Sequence, residues 1–443
     1  MPTTTPRRLA AALAAAALGL TAACTAGGGG DQSGSGPDAG EKQTIEVWHG
    51  WSAAHEVKAF ESAVAGFNKT HPNITVKLVK DQTDERISNA IRGGNPPDVV
   101  SSFTTDSVGQ WCQSAAWQDL NPYISKSKLD LNQFPKVVQE YTQYKGRRCA
   151  MPLLADTYGL YYNKALMKGE QPPRTFTELT ALAKKLTKRD PDGTIRVAGF
   201  LPSVQYYEHQ AQHLASQWGA KWLTPAGKAN FAGDPAFRAY LQWNKSLIDW
   251  YGYANVKKFL RSLGQEFESS NPFEKGKVAM AVDGEWRTKF MQEEAPSVDY
   301  GTAPAPVPDD QQARYGGGFV IGTVIGIPRG AKHAQAAWEF VRYLTTDTTS
   351  LVTFANALGN VPTTITSLGS PQLTLPPQFQ TFLQVFRNPN SFTTPPTPNG
   401  NDYVVKFQQF VQDQWEPGKV GNLDQALKDL DGKVDEALKL AGG

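Results

Sequence analysis

The sequence predicts an α/β fold built on a mostly parallel sheet, and three observations carry that prediction. From Thr44 to Val100, two-residue alternation and helical spacing take turns, the pattern of strands joined by helices. The 443 residues are 40% hydrophobic and 11% aromatic, enough for a substantial core and too much for a disordered chain. No internal repeat with a period of about 20–50 residues is visible, which sets solenoids and propellers aside. At roughly 100–200 residues per domain, the length suggests two to four domains. A net charge of +2 gives no electrostatic reason to expect nucleic acid. Three cysteines and six histidines, all scattered, argue against zinc ribbons and iron–sulfur clusters.

Residues 1–23 read as an export signal. Arg7 and Arg8 precede an Ala/Leu-rich run over 9–23, shorter than the roughly 20 apolar residues a membrane span needs. The run ends in Leu20-Thr21-Ala22-Ala23-Cys24, which resembles a bacterial lipobox, where cleavage leaves the cysteine as the lipidated N-terminus. Thr21 departs from the usual leucine, so an ordinary signal peptide with a chance cysteine stays open, as does twin-arginine export. Residues 24–43 then comprise the lipidated cysteine and a Gly- and Ser-rich flexible linker. Outside the cytoplasm Cys112 and Cys149, the two cysteines left, are free to form a disulfide. A catalytic thiol is the competing reading, but no Cys-His signature surrounds either residue.

Thr44-Ile45-Glu46-Val47 alternates as a first strand and meets a loop at Trp48-His49-Gly50-Trp51. Val57, Phe60, Val64 and Phe67 mark a helix that ends before His71-Pro72. Ile74, Val76 and Leu78 alternate again, a helix carries Ile87 and Ile91, and a third strand starts at Pro97-Asp98-Val99-Val100. Thr175-Phe176-Thr177-Glu178 is a capping box opening a helix that buries Leu179, Leu182 and Leu186. Tyr206, Tyr207 and Gln210 are expected to begin a helix running through His213 and Trp218. Residues 277–282 and 317–327 read as strands, Ala334 to Leu344 as a helix, and Leu423 to Leu438 as a closing amphipathic helix.

Several segments in order then resemble one family: EVWHGW at 46–51, GNPPDVV at 94–100, LYYNKALM at 160–167, PRTFTEL at 173–179, FEKGKVAMAVDGEW at 273–286, GGGFVIG at 316–322 and GNVPTT at 359–364. They are similar to the carbohydrate-type extracellular solute-binding proteins (family 1) of ABC importers, with maltodextrin and glycerol-3-phosphate binders as relatives. The resemblance implies a two-lobe, periplasmic-binding-protein-like fold with a hinge and an interlobe cleft. It would place 44–152 and 303–346 in lobe 1 and 153–302 and 347–443 in lobe 2, with APAPVP at 303–308 as a return crossing. It implies a sugar ligand, ABC permease subunits as partners, a monomer anchored by lipid to the outer face of the membrane, no cofactor and no catalysis.

Sugar recognition uses aromatic faces against C–H surfaces and planar polar groups for hydroxyls. In α/β sheets, ligands sit at the carboxyl ends of strands. The candidates are therefore Trp48, His49 and Trp51 on the first loop, Asp81 and Gln82 after the second strand, and Ser102 and Asp106 after the third. Solvated loops and a helix cap at Asp106 are the plain alternatives. Asp156 and Thr157 lie in an apolar run where an acid needs a partner. Tyr206, Tyr207 and Trp218 add aromatic faces, and Asp283, Glu285 and Trp286 follow a strand. Gly317 and Gly318 allow close backbone approach, and Asn399 lies in a late Pro-rich loop where glycerophosphate binders supply an arginine. That departure favours a neutral sugar over a phosphorylated one. A glycoside-processing enzyme, needing a carboxylate pair across the cleft, and a binder of glycerophosphodiesters or other non-sugar solutes are the rivals. A purely structural surface lipoprotein is the third. His209 and His213 have metal-binding spacing but no third ligand at a recognisable interval, so no metal is expected.

Overall fold

The strand at the centre of the architecture is a long run buried on almost its whole length. The computed structural model describes residues 41–52 and 54–442; the signal, Cys24 and most of the linker lie outside the described residues. Eight strands form the main sheet: β1 (Gln43–Trp48), β2 (Ile74–Val79), β3 (Val99–Ser102), β4 (Met151–Asn163), β5 (Met280–Gly284), β6 (Tyr300–Ala303), β7 (Val320–Gly326) and β8 (Val361–Pro362). Their order is β6-β4-β7-β3-β1-β2, with β5 and β8 also paired to β4. Only the N-terminal part is parallel: β1 pairs with both β2 and β3 in that sense. Every pair made by β4 or β7 is antiparallel. The mostly parallel sheet read from the first hundred residues is thus a mixed one. Local alternation reports a strand but not the direction from which its partner returns.

Buried on almost its whole length, β4 has 13 residues, about 43 Å at 3.3 Å per residue. Its first half pairs with β7 from Met151 to Thr157 and with β8 at Leu154 and Ala155. From Tyr158 onward its partners change to β5 and β6. One continuous strand therefore belongs to two different neighbourhoods, and the change falls between Thr157 and Tyr158.

Against the first neighbourhood the helix Ala54–Thr70 packs Phe60 and Phe67. The helix Thr348–Leu358 lies on the same side, with Phe354 centred 5.3 Å from Phe60 and 5.7 Å from Trp51. Cys112 and Cys149 are joined as a disulfide, buried in this layer, with Cα atoms 5.4 Å apart. The helix Phe176–Leu186 starts at the expected capping box. Glu178 N–H donates to Thr175 Oγ1 at 3.2 Å, and Thr175 N–H donates back to the Glu178 carboxylate.

The expected helix start at Tyr206 is corrected: residues 204–210 form turns and the helix runs Ala211–Gln217. Tyr207 holds a left-handed φ of 39°, which a continuing helix forbids. The strands expected at 277–282 and 317–327 begin three residues later than read, at Met280 and Val320. No helix among the described residues is long and apolar enough to cross a membrane.

Candidate functional site

A cleft of about 390 Å³ opens where three stretches far apart in sequence meet. The loop after β3 contributes Asp106, the turn before Ala211–Gln217 contributes Tyr207, Gln210 and Gln212, and the helix Asp402–Phe410 with its approach contributes Asn401 and Gln408. Amides and one phenol ring dominate its polar lining, and valines 204, 404 and 405 supply apolar surface.

Several of these polar groups are held by neighbours. Asn401 Nδ2 donates to Asp106 Oδ2 at 2.6 Å, tying the loop after β3 to the C-terminal helix. Burial, reinforced by nearby Asp84, raises the Asp106 carboxyl above its ordinary range. Asp84 in turn accepts from Ser102 Oγ at 2.9 Å. Tyr207 donates its hydroxyl to Gly264 O at 2.5 Å, which fixes the ring at the rim. Gln408 Oε1 accepts from Ala211 N at 2.7 Å, so the first turn of that helix is capped from the C-terminal segment.

At the point where β4 changes partners lies a carboxyl clasp. Asn360 Nδ2 donates to Asp156 Oδ1 and to Glu285 Oε1, both at 2.9 Å. Thr157 N–H donates to Glu285 Oε2 at 2.7 Å. Burial pushes Asp156 up to about 7, with hydrogen bonds from Glu285 and Asn360 pulling the other way. Burial and then repulsion from Asp156 push Glu285 well above its ordinary value. Nearby, Arg287 is fully buried and donates to Asp283 (2.8 Å), Glu274 (3.0 Å) and the Glu266 carbonyl (2.9 Å).

The residues singled out from sequence divide accordingly. Asp106 and Tyr207 line the cleft. His49 and Trp51 instead face the core: His49 packs between Trp51 and Phe60, and burial holds its imidazole down to about 4. Such rings replace aliphatics because they knit the first loop to two helices at once. Trp48 is half-buried and donates Nε1 to Glu46 at 2.7 Å. Asp81 is exposed in a left-handed turn, and Gln82 folds back onto the Lys80 carbonyl. Ser102 supports Asp84.

Asp156 and Glu285 are engaged by Asn360, and Asp283 by Arg287, so the strand-end acids satisfy protein groups. Thr157 is buried, and its hydroxyl has no partner within the protein. Tyr206 is buried against Tyr207 and His209, and Trp218 stacks on Phe176 at 4.7 Å. Trp286 stands edge-on to Tyr158 at 5.6 Å, with its indole N–H unpaired. Gly317 and Gly318 admit the protein's own Asn390 and Val385, not a ligand. Asn399 is bonded to Thr397 and Asp402; Asn401, two residues on, reaches the cleft.

His209 is buried and uses both ring nitrogens internally, with Leu201 O and Val282 N. In the late loop 395–401 the sequence reading chose Asn399 where Asn401 is the residue that reaches the cleft, and Gln212 and Gln408 escaped it. The only trace of them there is the density of glutamines at 205–212 and 408–409.

Comparison with known proteins settles the class. Residues 53–349 match the family described as bacterial extracellular solute-binding protein. The chain belongs to that family. Its members bind and do not catalyse, consistent with strand-end acids occupied by internal partners. Maltotriose-binding protein of Pyrococcus abyssi is 22% identical over 397 residues, covering 87% of this chain and 80% of that one. A maltooligosaccharide ABC transporter solute-binding lipoprotein of Streptococcus pneumoniae is 26% identical over 274 residues, 59% of this chain and 58% of its own. The mannotriose-bound structure of CpMnBP1 superposes with a TM-score of 0.74 at 25% identity, covering 88% of this chain and all of that one. This solute-binding protein thus has the mixed α/β periplasmic-binding-protein fold.

Proposed function

We propose that this chain is the receptor subunit of an ABC sugar importer, taking a mono- to oligosaccharide into the cleft and delivering it to a membrane permease. The carrying observation is the lining: amides and a tyrosine over apolar surface, the mixture a polyhydroxylated ring requires. Relatives named for maltotriose, maltooligosaccharide and mannotriose support it.

The change of partners along β4 supports a lobe crossing at Thr157/Tyr158, five residues later than the resemblance implied. The packing of Thr348–Leu358 on Ala54–Thr70, and of β8 on the first half of β4, supports a last crossing after Pro362 rather than at 346. The lobes would close about these crossings on the ligand. Lipid attachment at Cys24 would hold the receptor at the outer face of the membrane, as in the relative named a lipoprotein. A phosphorylated ligand is disfavoured because the cleft's described lining offers no arginine or lysine.

The test is thermal unfolding of a soluble form starting after Cys24 against neutral sugars, sugar phosphates and glycerophosphodiesters. A ligand at 100 times its dissociation constant stabilises the fold by about 2.7 kcal/mol. A shift with a neutral saccharide recovered unchanged supports the reading. A response confined to phosphorylated ligands, or none at all, defeats it.

A further inference from the structure

The charge on the cleft's described lining is one-sided. Asp106 is the charged residue among those described as lining it. Burial, and then Glu266, raise the Glu208 carboxyl well above its ordinary value, so it adds no fixed charge of its own. Two of the three cations in the neighbourhood are paired with acids. Arg287 serves Asp283 and Glu274 and Lys406 pairs with Asp402, while Lys257 is turned to the amide oxygen of Gln205 at 2.5 Å and keeps its charge there.

A second observation is independent of that charge. Gln212 is 6% exposed and lines the cleft. Its Nε2 is occupied by Gln210 Oε1 at 3.2 Å and His213 Nε2 at 3.3 Å, while its Oε1 has no partner. A buried amide oxygen can only accept, and leaving it unmatched is costly. The His213 ring beside it is held neutral, down to about 4, by burial, so it supplies no positive charge. What enters must therefore donate to Gln212 Oε1, and positive charge on it offsets Asp106, the charged group of the described lining.

Resting on the sugar-receptor reading above, we propose that the cleft takes a saccharide carrying a protonated amino group, whose ammonium donates to Gln212 Oε1 and the Asp106 carboxylate. The ring hydroxyls of the same sugar meet the remaining amides. A neutral hydroxyl at that position donates one hydrogen bond and leaves the charge uncompensated; an ammonium donates three and compensates it.

The experiment is calorimetric titration at neutral pH with matched sets: glucosamine, galactosamine and mannosamine and their β-1,4- or α-1,4-linked oligomers. Each is paired with its hydroxyl twin and its N-acetyl twin. Expected is at least tenfold tighter binding of an amine than of both twins. That preference should shrink with added salt, and it should collapse in Asp106→Asn and in Gln212→Met. The salt series on the unaltered protein decides the matter if either variant folds poorly. Equal or tighter binding of the hydroxyl twin, or an amine preference indifferent to salt, overturns this inference and leaves the sugar-receptor reading standing. Binding of none of the sets overturns both.

Discussion

Replacing Asp156 by asparagine removes one of the two carboxyls that Asn360 clasps, and its effect on pH-dependent stability follows from the geometry. In the unfolded chain an aspartate releases its proton near pH 4. In the folded protein burial holds Asp156 up to about 7. Between those values the folded state binds the proton and the unfolded state does not, so stability must fall as pH rises through that window and level off above it. The full lift corresponds to about 4 kcal/mol at ~1.36 kcal/mol per pH unit. Glu285 shares the same proton network, so the asparagine substitution should remove about half of that slope, ~2 kcal/mol between pH 5 and 8.

The mechanism is direct: an asparagine Nδ2 donates permanently to Glu285 where the wild type needs a titrating proton. Urea unfolding at pH 5, 6, 7 and 8 and constant ionic strength measures it. Some slope should remain, because Glu266, pushed up to about 7 by burial and by Asp283, titrates in the same window. An unaltered slope in Asp156→Asn, or a wild type that gains stability toward pH 8, would refute the reasoning.

Other outcomes follow from separate parts of the molecule. The Cys112–Cys149 bridge spans 37 residues in sequence. Changing both cysteines to alanine should cost about 4 kcal/mol by loop entropy, read as a lower urea midpoint; a loss under ~1 kcal/mol would contradict that account. Arg287→Met leaves Asp283 and Glu274 buried without their cation, and thermal unfolding should show a loss of about 3–5 kcal/mol. Converting Asp283 and Glu274 to asparagine and glutamine in the same protein should recover part of it. Tyr207→Ala, at the cleft rim, should weaken ligand binding by about tenfold, while Trp48→Ala, whose indole is turned to Glu46, should change it less than about twofold. Equal effects in a titration would shift the cleft toward the first loop.

Much of the architecture is written locally. The alternation of Ile74, Val76 and Leu78 gives β2, and the spacing of Val57, Phe60, Val64 and Phe67 gives the first helix. Thr175 and Glu178 cap a helix as their order predicts, because capping is settled within four residues. The disulfide was legible because cysteine count and export left a single pairing. The family was legible because its segments recur in order along the chain.

The cleft was not, and the reason is range. Trp51 and His49 have the composition of a sugar platform, but whether a ring faces solvent or core depends on Phe354, three hundred residues later. Asp283 resembles a ligand acceptor until Arg287 folds over it. Gln212 and Asn401 are ordinary polar residues in sequence, and only the tertiary structure, which sets Asn401 on Asp106, turns them inward. By itself the sequence determined strands, helices, caps, covalent pairing and family, since each depends on neighbours along the chain or on composition. The tertiary structure decided which polar groups remain unsatisfied and therefore available to a ligand, since hydrogen-bond satisfaction is a property of distant segments brought together.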